Sequence, residues 1–191
     1  KGNLFGHVIT YVCASFGFIW VMIIIWSEKL IRFKLFGYSF FGEEFYDALP
    51  LVPWISLGYL FYGYYILHTP GIFLKNRPGL AAWTRLFGAL INIGLNLFLI
   101  PLYGAWGAAI STCLSFFFMA ILMNIINNKL YTIDIEWKKI SIIIILLLIC
   151  FTLTKLFEEG IFASLIITII YPISLIGSGV INLKMLISKF E

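Results

Sequence analysis

Charge is the scarcest feature of this sequence. Only 12% of its 191 residues are Asp, Glu, Lys or Arg, against 62% hydrophobic residues and a mean hydropathy of +1.02. A soluble domain carries about 25% charged residues. The deficit excludes one and points to an integral membrane protein. The scarcity is also uneven. From Leu86 to Asn128 there is no charged residue in 43 positions, and the short stretch Pro101-Leu-Tyr-Gly104 is the only break. Crossing the hydrocarbon core takes about 20 apolar residues, and backbone polar groups in lipid must be satisfied within the segment. Two membrane helices joined by a turn, a helical hairpin, are therefore predicted over this stretch.

Other absences narrow the function. No His-x-x-Glu-His, Gly-x-Ser-x-Gly or phosphate-loop motif occurs, and no paired carboxylates lie in an apolar run. Nothing here points to an enzyme, and no cofactor or metal is expected. Three cysteines, Cys13, Cys113 and Cys150, lack metal-ligand spacing and sit in apolar runs, where they pack as small hydrophobes. The lone histidines His7 and His68 stand near span ends, where a structural or interfacial role is expected. The net charge of +4 is small and bears on membrane topology rather than on nucleic acid. There is no initiator Met and the first apolar run begins almost at once, so a piece of a longer protein is expected.

Six candidate spans follow, at about 8–27, 48–73, 79–100, 105–126, 140–156 and 160–183. The fifth is short, but Lys139 and Lys155 can extend its reach by snorkelling. Pro172 inside the sixth favours a kink. With a cytoplasmic N-terminus, the inner segments hold Lys1, Lys75, Arg77, Arg85, Lys129, Lys138, Lys139, Lys184 and Lys189. The outer ones hold Lys29, Arg32, Lys34 and Lys155. Nine against four places both termini of this segment in the cytoplasm by the positive-inside rule. Between the first two spans, Leu30 to Phe36 mixes apolar and basic residues. It suits either an interfacial helix or an extension of the first span.

Few residues in the spans could carry chemistry. No acid lies within any of them, and a proton or sodium relay normally needs one. Arg85 lies about one and a half turns inside the third span, counted at 3.6 residues per turn. It could snorkel to the headgroups or meet an anion through its bidentate fork. Arg77 and Lys75 stand just outside it. Asn92 and Asn96, four residues apart, share a helix face, for interhelical bonding or for lining a hydrated cavity. Tyr59, Tyr62, Tyr64 and Tyr65 sit mid-span with Gly58 and Gly63, for core packing or for stacking on sugar rings. Gly104, Gly107, Ala108 and Ser111 have the small-residue spacing that lets helices approach closely.

The order of these features resembles a known family. An acidic-aromatic loop, Gly42-Glu-Glu-Phe-Tyr-Asp-Ala48, precedes Leu49-Pro50-Leu-Val-Pro53. Asn92-Ile-Gly-Leu-Asn96 is followed by Ile100-Pro-Leu-Tyr-Gly104-Ala-Trp-Gly107-Ala-Ala-Ile-Ser-Thr112. Residues 1–128 resemble the polysaccharide-biosynthesis flippases, the O-antigen translocases of the MATE-like superfamily of multidrug, oligosaccharidyl-lipid and polysaccharide exporters. That resemblance implies an all-α polytopic fold. Residues 1–128 would form most of a C-terminal lobe, and 129–191 would add two further helices. It implies transport of undecaprenyl-diphosphate-linked oligosaccharide across the bacterial inner membrane by alternating access. The partners would be membrane lipids, an N-terminal lobe of the same protein and the polysaccharide polymerase machinery. Arg85, Asn92, Asn96, Tyr62 and Arg77 would then contact substrate. A drug/cation antiporter would want an intramembrane acid. A non-transporting assembly subunit would need neither cavity nor movement.

Overall fold

The structure, a computed structural model, describes residues 2–36, 38–39, 41–157 and 160–181. Its helices are α1 (Gly2–Ile31), α2 (Val52–Leu67), α3 (Pro70–Leu74), α4 (Pro78–Tyr103), α5 (Ala105–Leu130), α6 (Trp137–Leu156) and α7 (Ile161–Gly177). A minimal hairpin pairs Lys34–Leu35 (β1) with Tyr38–Ser39 (β2), and a 3-10 stretch covers Glu43–Leu51. The expected all-α polytopic architecture is what forms. Within α1 (from Phe5), and in α4, α5 and α6, the helices are long and apolar enough to cross a membrane.

Proline placement explains several boundaries. Pro53, Pro70 and Pro78 all sit in the first turn of a helix, where the missing N–H costs nothing. Pro70 also ends α2. It cannot donate to the Ile66 carbonyl four residues back, which instead accepts the Thr69 N–H at 3.0 Å and the Thr69 hydroxyl at 2.7 Å.

Three expectations are revised. The second span is not continuous over 48–73, because α2 has only 16 residues and stops before a break at His68–Thr69. The sixth gives a helix of 17 residues, and its expected end at 182–183 lies outside the described residues, as do Lys1, Lys184 and Lys189. The turn expected over Pro101–Gly104 shrinks to Gly104 alone. Helix α4 runs through Pro101, and Gly104 reverses the chain at φ 55°, ψ −129°, a conformation that glycine adopts without a Cβ penalty. Between the first two spans, α1 reaches only to Ile31 and Lys34–Leu35 enter the hairpin, so of Leu30 to Phe36 only the first two residues extend the span and no interfacial helix forms.

The chain divides into two compact units. One spans 47–134 and holds α2 to α5. Its core joins Tyr65, Ile72, Ala81, Met119, Ala120 and Met123, and α5 packs against both α2 and α4. The aromatic run of α2 meets the phenylalanines of α5: Tyr59 and Tyr62 on Phe116 at 5.8 and 5.2 Å, and Phe61 on Phe117 at 5.1 Å between centroids.

The other unit holds α1, the hairpin, α6 and α7. Trp26 Nε1 donates to Thr168 Oγ1 at 3.2 Å, and the buried Tyr171 hydroxyl donates to the Ala14 carbonyl at 3.2 Å. Gly17 leaves the room that this hydroxyl occupies. At the start of α6, Glu136 accepts from Lys139 at 2.8 Å. His7 Nδ1 lies 3.2 Å from the other carboxylate oxygen, within ion-pair reach but without hydrogen-bond alignment. Partial burial pushes the Glu136 carboxyl up, but the Lys139 ammonium that donates to it, with the polar groups of Thr10 and His7 beside it, outweighs burial and holds the carboxyl below its ordinary range.

Candidate functional site

Among the described residues, the one arginine within a membrane-length helix beyond its ends is Arg85, seven residues into α4 from Pro78. Seven residues rise about 10 Å along a helix. Its side chain is exposed, yet its base is fixed. Arg85 Nε donates to the Tyr65 phenol at 3.2 Å. Tyr65 is fully buried, and its hydroxyl donates to the Ala81 carbonyl at 3.4 Å. The buried Thr84 hydroxyl donates to that same carbonyl at 2.9 Å and lies 3.5 Å from the phenol oxygen. The guanidinium is therefore held at its inner nitrogen by a neutral partner. Its outer N–H groups meet no acceptor among the described residues.

Asn92 and Asn96 bond to each other, Nδ2 of Asn96 donating to Oδ1 of Asn92 at 3.0 Å. Both are half-buried, and the Asn96 carbonyl is buried without a partner among the described residues. At about 100° per residue, Asn92 and Asn96 each fall within about 20° of Arg85 around α4, one to either side. They line the shoulder between the side buried by Ala81, Thr84 and Gly88 and the exposed side of Leu90, Ile93 and Leu97. Tyr62 stacks on Tyr65 at 5.8 Å, which brings it one residue away from Arg85. Arg77 stands apart as the exposed residue preceding α4, eight residues and about 12 Å of rise from Arg85.

The small residues serve the hairpin. A Cβ on Gly107 would collide with the backbone carbonyl of Leu99, so α4 and α5 touch main chain to main chain there. Ser111 is buried and donates to the Gly107 carbonyl at 2.7 Å, keeping its hydroxyl within its own helix. Ala108 is half-buried beside them, and Gly104 makes the turn.

Several polar residues carry weight that the sequence alone does not reveal. Tyr65 and Thr84 are two of them. His68 is fully buried, its Nδ1 2.9 Å from the Tyr64 carbonyl, with its ring 4.3 Å from that of Tyr64. Asn124 donates to the Tyr64 hydroxyl at 2.8 Å. Asn127 is fully buried, its amide oxygen against Gly71. The available signal is the spacing, three or four apart, of Tyr64, His68 and the small Gly71, which run across the α2–α3 break, and of Asn124, Asn127 and Tyr131 at the end of α5.

These features define an all-α, multi-pass membrane protein whose apolar helices contact lipid. The chain is 29% identical over 166 residues to an uncharacterized membrane protein of Methanocaldococcus jannaschii; the similarity covers 78% of this chain and 32% of that protein. The chain thus spans about a third of the length of the curated relative it matches. No protein-family profile and no solved structure matches it.

Proposed function

We propose that this chain is the greater part of one lobe, with two added helices, of a flippase that moves a polyprenyl-diphosphate-linked oligosaccharide across a bacterial inner membrane. The observation that carries the reading is Arg85. A cation at mid-membrane costs about 2.5–3.5 kcal/mol on insertion scales. This one is retained on a lipid-contacting helix, is held by a phenol rather than a carboxylate, and keeps its outer edge open. A guanidinium edge matches phosphate oxygens in pairs. Asn92, Asn96 and Tyr62 lie on the same side or one residue away, where amides and aromatic rings suit sugar hydroxyls and sugar faces. Transport rather than catalysis accords with the absence of catalytic motifs in the sequence.

Substitution in the full-length protein tests this. Arg85→Gln abolishes surface glycan while protein levels hold, and Arg85→Lys, which keeps the charge but not the fork, retains part of it. Full surface glycan with Arg85→Gln makes Arg85 a headgroup anchor and removes the reading.

The orientation belongs to the same proposal, with both termini of this segment cytoplasmic. In a background without native cysteines, an impermeant thiol reagent added outside labels Glu44→Cys and leaves Asn76→Cys and Asn128→Cys untouched. The reverse pattern overturns the orientation.

A further inference from the structure

We infer that Tyr65 is a positioning residue: its buried hydroxyl holds Arg85 by Nε so that the two outer nitrogens face a phosphate ester together. The inference rests on the reading of Arg85 as an anion-binding residue and adds the device that sets its specificity. An exposed arginine samples many rotamers, and fixing one costs side-chain entropy. Here that ordering is met before any ligand arrives. Tyr65 is fully buried, so its ring cannot swing. Its oxygen is oriented by donation to the Ala81 carbonyl, at 3.4 Å, which leaves its lone pairs for Arg85 Nε, at 3.2 Å. Thr84 shares the carbonyl and closes the group. A hydroxyl is the apt partner. A carboxylate would neutralise the guanidinium and compete with phosphate, whereas a phenol accepts one N–H and leaves the charge unspent.

The same geometry sets a chemical selection. With Nε engaged, only the Nη1/Nη2 edge is free. Two parallel N–H groups bind two phosphate oxygens at once, and a diphosphate offers this edge more such oxygen pairs, within one phosphoryl group and across two, and more negative charge than a monophosphate. A diphosphate is therefore preferred to a monophosphate, and the preference depends on Tyr65. Lysine cannot reproduce this, because one nitrogen would have to serve both the phenol and the ligand.

The test uses the full-length protein in detergent micelles, with farnesyl diphosphate and farnesyl monophosphate as probes and phosphatidylglycerol as a headgroup competitor. Tyr65→Phe keeps the ring and its packing. It should weaken farnesyl diphosphate about tenfold, 1.4 kcal/mol at 25 °C, with less loss for the monophosphate, and leave the melting temperature within a few degrees of the parent. In an Arg85→Lys background the same change should have no effect on binding. Thr84→Val is the second variant and should produce a smaller loss of the same kind. Parental diphosphate binding and selectivity in Tyr65→Phe, or in Thr84→Val should Tyr65→Phe not accumulate, overturns the positioning role while leaving Arg85 as an anion site. Unchanged binding in Arg85→Gln overturns the reading of Arg85 itself, and the inference with it. Displacement of the probe by phosphatidylglycerol at equal concentration assigns the phosphate chemistry to headgroups and overturns both.

Discussion

Helices α4 and α5 are consecutive, each 26 residues long and each apolar, yet they occupy opposite positions in their unit. Within their most hydrophobic windows, 6% of α4 is buried by protein and 39% of α5. The difference follows from which residues are small. On α5, Gly107, Ala109, Ser111, Cys113, Ser115 and Ala120 are buried, so helices can close on it from two sides. On α4 only Ala81, Thr84 and Gly88 are buried, and Leu86, Leu90, Ile93, Leu97 and Phe98 stand exposed. Lipid is as apolar as leucine, so bulk hydrophobicity cannot choose between helix and lipid contact; close packing can. Arg85 accordingly sits on the helix that protein covers least, where a charged group can still reach a ligand.

The sharpest way to break this comparison is to place the same large side chain on each helix. Gly107→Leu on α5 drives a side chain into the Leu99 backbone, which cannot yield as a flexible side chain can. Overpacking of this kind costs about 3 kcal/mol or more. The variant should fail to accumulate in membranes, or should melt far below the parent in detergent. Gly94→Leu on α4 meets nothing within 4 Å and replaces the poorer helix former. It should accumulate like the parent. Equal behaviour of the two variants would erase the distinction between a packed helix and a lipid-facing one.

The sequence shows the hairpin but not which of its arms is buried. Its 43 uncharged residues mark both helices, and the glycine and alanine spacing marks the contact, because both are local properties. The length of α2 was not legible. Its hydrophobic run continues past His68 and Thr69, and only the effect of Pro70 on the Ile66 carbonyl ends it. Nor was the partner of Arg85. Tyr65 lies among five aromatic residues of similar spacing, and which one turns toward Ala81 depends on how α2 and α4 cross. Arg85 stood out as a single charge in an uncharged run, a signal that needs no tertiary information. The roles of His68 and Asn127 were hidden because isolated polar residues near span ends look the same whether buried or wet.

A smaller effect is expected at the amide pair on the shoulder of α4. Asn92 and Asn96 satisfy one donor and one acceptor between themselves, so replacing both removes a bonded pair and leaves no new orphan behind. Such bonds in membranes are worth about 1 kcal/mol or less. Asn92→Leu with Asn96→Leu should shift the melting temperature by only a few degrees, whereas either single change strands the other amide and should cost more. If the double variant is stable but loses surface glycan, the pair serves the substrate. If it keeps full transport, the pair only packs.

The smallest effect is expected where a tight contact can relax. A Cβ on Gly88 would sit 3.0 Å from the Met119 sulfur, closer than an unstrained contact, which on geometry alone resembles Gly107. The neighbour differs in kind. Methionine has three rotatable bonds and a polarizable thioether, and it adapts to small changes in shape. Alanine is also the better helix former, by about 0.8–1.0 kcal/mol in a helix interior. The two contributions oppose each other, so Gly88→Ala should leave the melting temperature within a degree or two of the parent. A large loss would mean that the α4 face at Gly88 is held as rigidly as the backbone contact at Gly107. The line between the two helices would then have to be drawn elsewhere than between yielding side chains and unyielding main chain.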